Sequence, residues 1–171
     1  YISPLIALIN DQFTRVEELC RYLDVPVTKW HGEASRSLKE KLIKEPAGVV
    51  LITPESIEAM FANSPQNIPH LFRNLEYVII DEIHSFIGTN RGIQLQSLLS
   101  RLRYASASSF KTIGLSATIG DHEAVKQMTG DAANTAILRD KTAKDIAAEF
   151  KYFEGEATEL PLDLLKDMYL N

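Results

Sequence analysis

Two rhythms of apolar residues alternate along this chain. After Tyr1-Ile2-Ser3-Pro4, the residues Leu5, Leu8, Ile9, Val16, Leu19, Cys20 and Leu23 recur at helical spacing. They predict one long amphipathic helix ending near Leu23, with Ser3 and Pro4 as its start. Residues 26–30 (PVTKW) alternate and predict a strand, while 48–52 (GVVLI), 75–80 (LEYVII) and 111–115 (KTIGL) are apolar runs that predict buried strands. Between them, helices are predicted over 35–44 (stopped by Pro46), 55–62 (opened by Thr53-Pro54), 92–104 and 121–128 (stopped by Gly130). Residues 63–69 (NSPQNIP) predict a loop. Residues 136–138 and 149–153 predict short strands, and 160–170 a final helix after the polar GEATE. Apolar strands alternating with helices imply an α/β fold with a parallel sheet covered on both faces.

The 171 residues fit one domain of ordinary size, and 45% hydrophobic with 24% charged residues is usual for a globular protein. No apolar run approaches a membrane span. The single cysteine, Cys20, excludes an internal disulfide and any cysteine-based metal cluster. This composition suits a reducing cytoplasm. The net charge of -5 argues against a generic basic nucleic-acid coat. Any nucleic-acid contact must be local, or rest on backbone amides and helix ends.

Ligands of open α/β sheets bind at the carboxyl ends of the strands. The predicted strand ends are Ser3-Pro4, Thr53-Pro54-Glu55, Asp81-Glu82-Ile83-His84 and Ser116-Ala117-Thr118. Parallel strands would put all four on one rim. Ser-Pro and Thr-Pro are good helix starts, and that alone accounts for them. Facing one rim, they also suit a track for a sugar-phosphate backbone through free N–H groups. Asp81 and Glu82 follow a buried-looking Val78-Ile79-Ile80 run, where paired carboxylates need a cation or donors unless the turn is simply solvated. Mg²⁺ suits carboxylate oxygen, water and phosphate, and Glu82 is placed to activate a water as general base. His31, His70, His84 and His122 have no spacing that suggests a zinc site.

YISPLIAL, TPES, DEIH and SAT stand in the order and rough spacing of superfamily 2 DEAD/DEAH-box (DExH) helicases. They resemble motifs Ia, Ib, II and III of the first RecA-like domain. KWHGE (29–33) and SFIGTNRG (85–92) look most like the large helicase-related (Lhr) branch. The resemblance implies a RecA-like, P-loop NTPase type three-layer sandwich over residues 1–155, truncated at its N-terminus. Residues 156–171 would be a linker and first helix toward a second RecA-like domain. It also implies roles: Asp81 holding Mg²⁺ through water, Glu82 activating water, and His84 relaying nucleotide state. Ser116, Ala117 and Thr118 would couple that state to nucleic acid. Ser3, Pro4, Gly32, Thr53, Pro54, Arg91 and Gly92 would lie along single-stranded DNA or RNA, with Arg91 on a phosphate or paired with a carboxylate in the loop after motif II.

A phosphate-binding loop needs Gly-Lys followed by Ser or Thr. None of the eight glycines here precedes lysine. By the resemblance, that loop lies just upstream of motif Ia and its strand belongs inside the sheet, so the isolated stretch is expected to be poorly stable. Two functions remain open. One is part of an ATP-dependent helicase or translocase motor, inactive by itself. The other is a non-catalytic RecA-like nucleic-acid clamp or scaffold. A glycine-rich Gly-Lys-Thr or Gly-Lys-Ser loop upstream in the parent gene separates them.

Overall fold

A computed structural model describes residues 1–139 except Glu33 and Ile119. Residues 1–137 form one compact unit. The strand and helix predicted over 149–153 and 160–170 lie outside the described residues.

Helix α1 (Ile6–Arg21) leads to β1 (Val27–Trp30), α2 (Arg36–Lys44), β2 (Val49–Ile52) and α3 (Pro54–Asn63). Then come α4 (Ile68–Phe72), β3 (Tyr77–Ile80), α5 (Asn90–Ser106), β4 (Lys111–Gly114) and α6 (His122–Met128). The strands form two parallel ladders, β1 with β2 and β3 with β4. Ile2 joins them, bridging Ile52 on one side and Ile80 on the other. The order is therefore β1, β2, the Ile2 segment, β3, β4, all running one way. Ile2 donates to Ile79 O at 2.7 Å and accepts from Asp81 N at 2.8 Å, while Ser3 N donates to Ile52 O at 3.0 Å.

The main core lies where α3, α4 and α5 cover the sheet. Ile2, Ile52, Val78 and Ile80 meet Ile57, Met60, Leu71, Leu95, Leu98 and Leu99 there. Burying each such side chain contributes roughly 1.5–3 kcal/mol. Helix α1 packs on β1 and β2, and among its residues only Ile9 is fully buried. Leu19 is 72% exposed and Leu23 74%, so the predicted stripe of α1 is only partly covered by the described residues. Among those residues β4 pairs on one side only, and it leaves Ile113 41% and Leu115 43% exposed.

Three expectations are corrected. Ser3 does not cap α1: it belongs to the ladder, with its N–H on Ile52 O and its Oγ buried without a hydrogen-bond partner, and the helix begins at Ile6 with Leu5 at the cap position. The loop predicted over 63–69 is partly helical, because Pro69 sits in the first turn of α4, where its missing N–H costs nothing, and Ile68 and Leu71 are buried. Residues 136–138 form no strand, and Leu138 is 94% exposed. No partner strand among the described residues is offered to them. Thr53 and Pro54 do open α3 as predicted, with the Thr53 side chain accepting from Ser56 N at 3.3 Å.

Candidate active site and nucleic-acid rim

Because every strand runs the same way, the segments after β1, β2, the Ile2 bridge, β3 and β4 share one rim. Asp81 directly follows β3. Its Oδ1 accepts from Glu82 N at 3.0 Å. The Tyr1 phenol sits against this carboxylate. Burial, a hydrogen bond to Asp81, and the charges of Asp81 and Glu82 hold the phenol pKa above its ordinary value.

Glu82 adopts a left-handed backbone, with φ 46° and ψ 45°. Such a conformation is uncommon for a residue with a side chain and clusters at functional sites. Here it turns the chain so that Ile83 N reaches Leu115 O at 2.9 Å, and a short 3-10 turn (Ile83–Phe86) follows. Gly114 makes room for that turn, since a Cβ there would stand 2.7 Å from Ile83 Cδ1.

The turn carries His84 to Ser116. Their Nδ1 and Oγ are 2.8 Å apart, and Ser116 Oγ donates to Thr118 O at 2.6 Å. With its own proton given to Thr118, the serine accepts, so His84 carries its proton on Nδ1. The same Nδ1 lies 3.2 Å from Glu82 Oε2, off the hydrogen-bond direction, and Oε2 is buried without a hydrogen-bond partner. Glu82, His84, Ser116 and Thr118 therefore form one connected line across β3 and β4. Ala117 is exposed beside it.

These groups fit a magnesium-dependent nucleotide site. Asp81 and the half-exposed Glu82 place two carboxylates side by side directly after β3. Among the described residues no three His, Cys, Asp or Glu side chains gather as a metal cage. A magnesium ion at Asp81 would thus depend on water and phosphate for its remaining ligands, as that ion commonly does.

On the rest of the rim, the structure buries Ser3, Pro4, Thr53, Pro54 and Gly92 and exposes Gly32. Ser3 Oγ is buried with no hydrogen-bond partner. A strand passing along this side would meet the backbone and exposed neighbours of these residues more than their side chains. Arg91 is engaged within the protein. It donates through Nε to Glu55 Oε1 at 2.8 Å and through Nη2 to the Pro4 carbonyl at 2.8 Å.

Sequence reasoning did not single out Tyr1 or Glu55. The signal for Glu55 was an acidic residue in the first turn of α3, a position that the helix dipole favours anyway. Nothing in the pattern tied it to an arginine 36 residues away.

The family profile described as DEAD/DEAH box helicase matches residues 1–127. The chain is 36% identical over 137 residues to "ATP-dependent helicase Lhr-Core protein 2" of Thermococcus barophilus, covering 73% of this chain and 16% of that protein. Among solved structures it resembles the DUF1998 helicase MrfA bound to DNA and AMPPNP, with a TM-score of 0.65 and 27% identity over 77% of this chain and 19% of that one. It also resembles Mycobacterium smegmatis helicase Lhr bound to ssDNA and AMP-PNP, with a TM-score of 0.61 and 26% identity over 74% of this chain and 18% of that one. The chain thus spans less than a fifth of each. Among the described residues no helix is long and apolar enough to cross a membrane. The chain carries the RecA-like fold of these helicases and belongs to the DEAD/DEAH box helicase family.

Proposed function

We propose that this chain supplies part of an ATP-driven motor that moves on single-stranded nucleic acid. It would provide the water-activating half of the ATP site and one wall of the nucleic-acid path. The phosphate-binding loop and a second RecA-like domain would come from elsewhere in the polypeptide, with the domain boundary near residue 155. Among the described residues β4 pairs on one side only, which supports an added strand in this sheet.

The observation that carries the reading is the contact between His84 and Ser116. It joins the DEIH segment to the SAT segment, so a change at Glu82 has a direct polar route to the neighbouring strand end. In this reading Glu82 takes a proton from the attacking water through its half-exposed carboxylate. Asp81 would hold magnesium, which supplies charge neutralisation at the phosphates. His84 senses Glu82 on one side and Ser116 on the other. Ser116 and Thr118, placed after β4, pass the state onward. The rim of Gly32, the Pro4 turn and the start of α3 would face the strand.

The DNA bound in the solved relatives makes single-stranded DNA the first partner to test. Binding of a labelled oligothymidine should weaken steeply with salt, because neutralised phosphates release counterions at a slope of about -0.7 per contact. Fluorescence anisotropy of the chain across a salt series reads this. A flat salt response would remove the proposed phosphate path.

A further inference from the structure

Arg91 stands where three segments of the rim meet. Its Nη2 donates to the carbonyl of Pro4, in the turn between the Ile2 bridge and α1. Its Nε and Nη2 both reach Glu55 Oε1, in the first turn of α3. Its guanidinium lies 5.5 Å from the ring centre of Phe86, which is fully buried at the end of the DEIH turn. The backbone that presents Arg91 is itself held. Thr89 caps α5 by accepting from Gly92 N at 3.1 Å, and its hydroxyl donates to Phe86 O at 2.9 Å. The forked donors of one guanidinium are therefore divided between a carbonyl and a carboxylate on separate segments, with an aromatic ring beside them.

We propose that Arg91 is a positioning residue. It clamps the Pro4 turn to the start of α3 and ties both to the DEIH turn, and it does not itself take a nucleic-acid phosphate. This rests on the reading of the rim as a nucleic-acid path, but the clamp can be measured without nucleic acid. A phosphate on Arg91 would have to displace Glu55, a carboxylate of the same sign as the incoming ligand. The fixed spacing of the two turns is what the clamp would contribute. Their backbones are what a passing strand meets, since Ser3, Pro4, Thr53 and Pro54 are buried.

Four variants of the chain separate the two roles: Glu55→Gln, Arg91→Ala, Arg91→Lys and the double variant Glu55→Gln with Arg91→Ala. Oligothymidine affinity and its salt slope are read for each, with unfolding midpoints as a check on folding. A positioning role predicts that Glu55→Gln weakens binding by up to about fivefold, because glutamine still accepts from Arg91 but this half-exposed pair loses its charge. Arg91→Lys should weaken it comparably, because an ammonium cannot serve both partners. Arg91→Ala should lower affinity with the salt slope unchanged, and the double variant should be no worse than either single one. A phosphate ligand predicts the reverse. Glu55→Gln would tighten binding, Arg91→Lys would largely retain it, and Arg91→Ala would cut the slope by about 0.7. That result would overturn the proposal.

Hydrogen exchange tests the clamp whether or not the chain binds DNA. Amides at residues 5–9 and 56–57 should exchange faster in Glu55→Gln and in Arg91→Ala, together and non-additively. Unchanged exchange there would overturn the clamp. Absence of wild-type DNA binding with the exchange change present would instead overturn the nucleic-acid reading and leave the clamp standing.

Discussion

Glu82→Gln, made in a full-length protein that carries this domain, is expected to lower ATP turnover by about 10²–10⁴-fold while nucleotide binding persists. Glutamine has nearly the same shape, so the left-handed turn at position 82 and the Ile83 to Leu115 hydrogen bond should survive. What is lost is the carboxylate that accepts a proton. The Glu82 side chain is half-exposed, and its Oε2 lies 3.2 Å from His84 Nδ1. Asp81 is already engaged, since its Oδ1 accepts from Glu82 N. Steady-state phosphate release together with binding of a fluorescent ATP analogue separates the two effects. Turnover within a few-fold of wild type would show that Glu82 is not the base. Loss of nucleotide binding would mean that the substitution had disrupted the site.

The second large effect concerns a residue with no side chain. Gly92→Ala is expected to destabilise the fold by about 2–4 kcal/mol, although alanine is the better helix former by about 1 kcal/mol. Gly92 lies in the first turn of α5, and a Cβ there would stand 2.0 Å from Phe86 O and 3.0 Å from Met128 Cε. The carbonyl cannot easily retreat. Phe86 is fully buried, and its oxygen also accepts from Thr89 Oγ1. Relief would move the DEIH turn or the start of α5, and with the latter Arg91. Gly120→Ala is the control, because nothing lies within 4 Å of the added carbon there. Urea unfolding of the two variants should differ in midpoint with similar slopes. A Gly92→Ala protein as stable as the control would mean that the close approach is not needed.

The parts of this molecule that were legible in sequence are those decided locally. Val49–Ile52 and Tyr77–Ile80 are apolar runs between turn residues, and Thr53-Pro54 is a helix start whose cap forms within four residues. Ser3-Pro4 looks the same in sequence but behaves differently. Ser3 N is committed to Ile52 O, a partner 49 residues away, and no local pattern records that. The loop reading of residues 63–69 failed for the opposite reason: Pro69 punctuates a helix from within its first turn. In the site, the placement of DEIH after β3 and SAT after β4 was legible, and parallel strands implied their shared rim. The His84 to Ser116 contact needed the left-handed turn at Glu82 and the gap over Gly114, which depend on how β3 and β4 pack together. The pairing of Arg91 with Glu55 and Pro4 depends on three segments brought together by the fold.

That His84 to Ser116 contact is where hydrolysis and nucleic acid are held to communicate. The most direct measurement compares ATP turnover with and without single-stranded DNA in the full-length protein, for wild type and Ser116→Ala. The substitution removes the acceptor for His84 Nδ1 and the donor to Thr118 O, and leaves Asp81 and Glu82 untouched. The account predicts that Ser116→Ala keeps the DNA-independent rate and loses the stimulation by DNA. Stimulation equal to that of the wild type would contradict it.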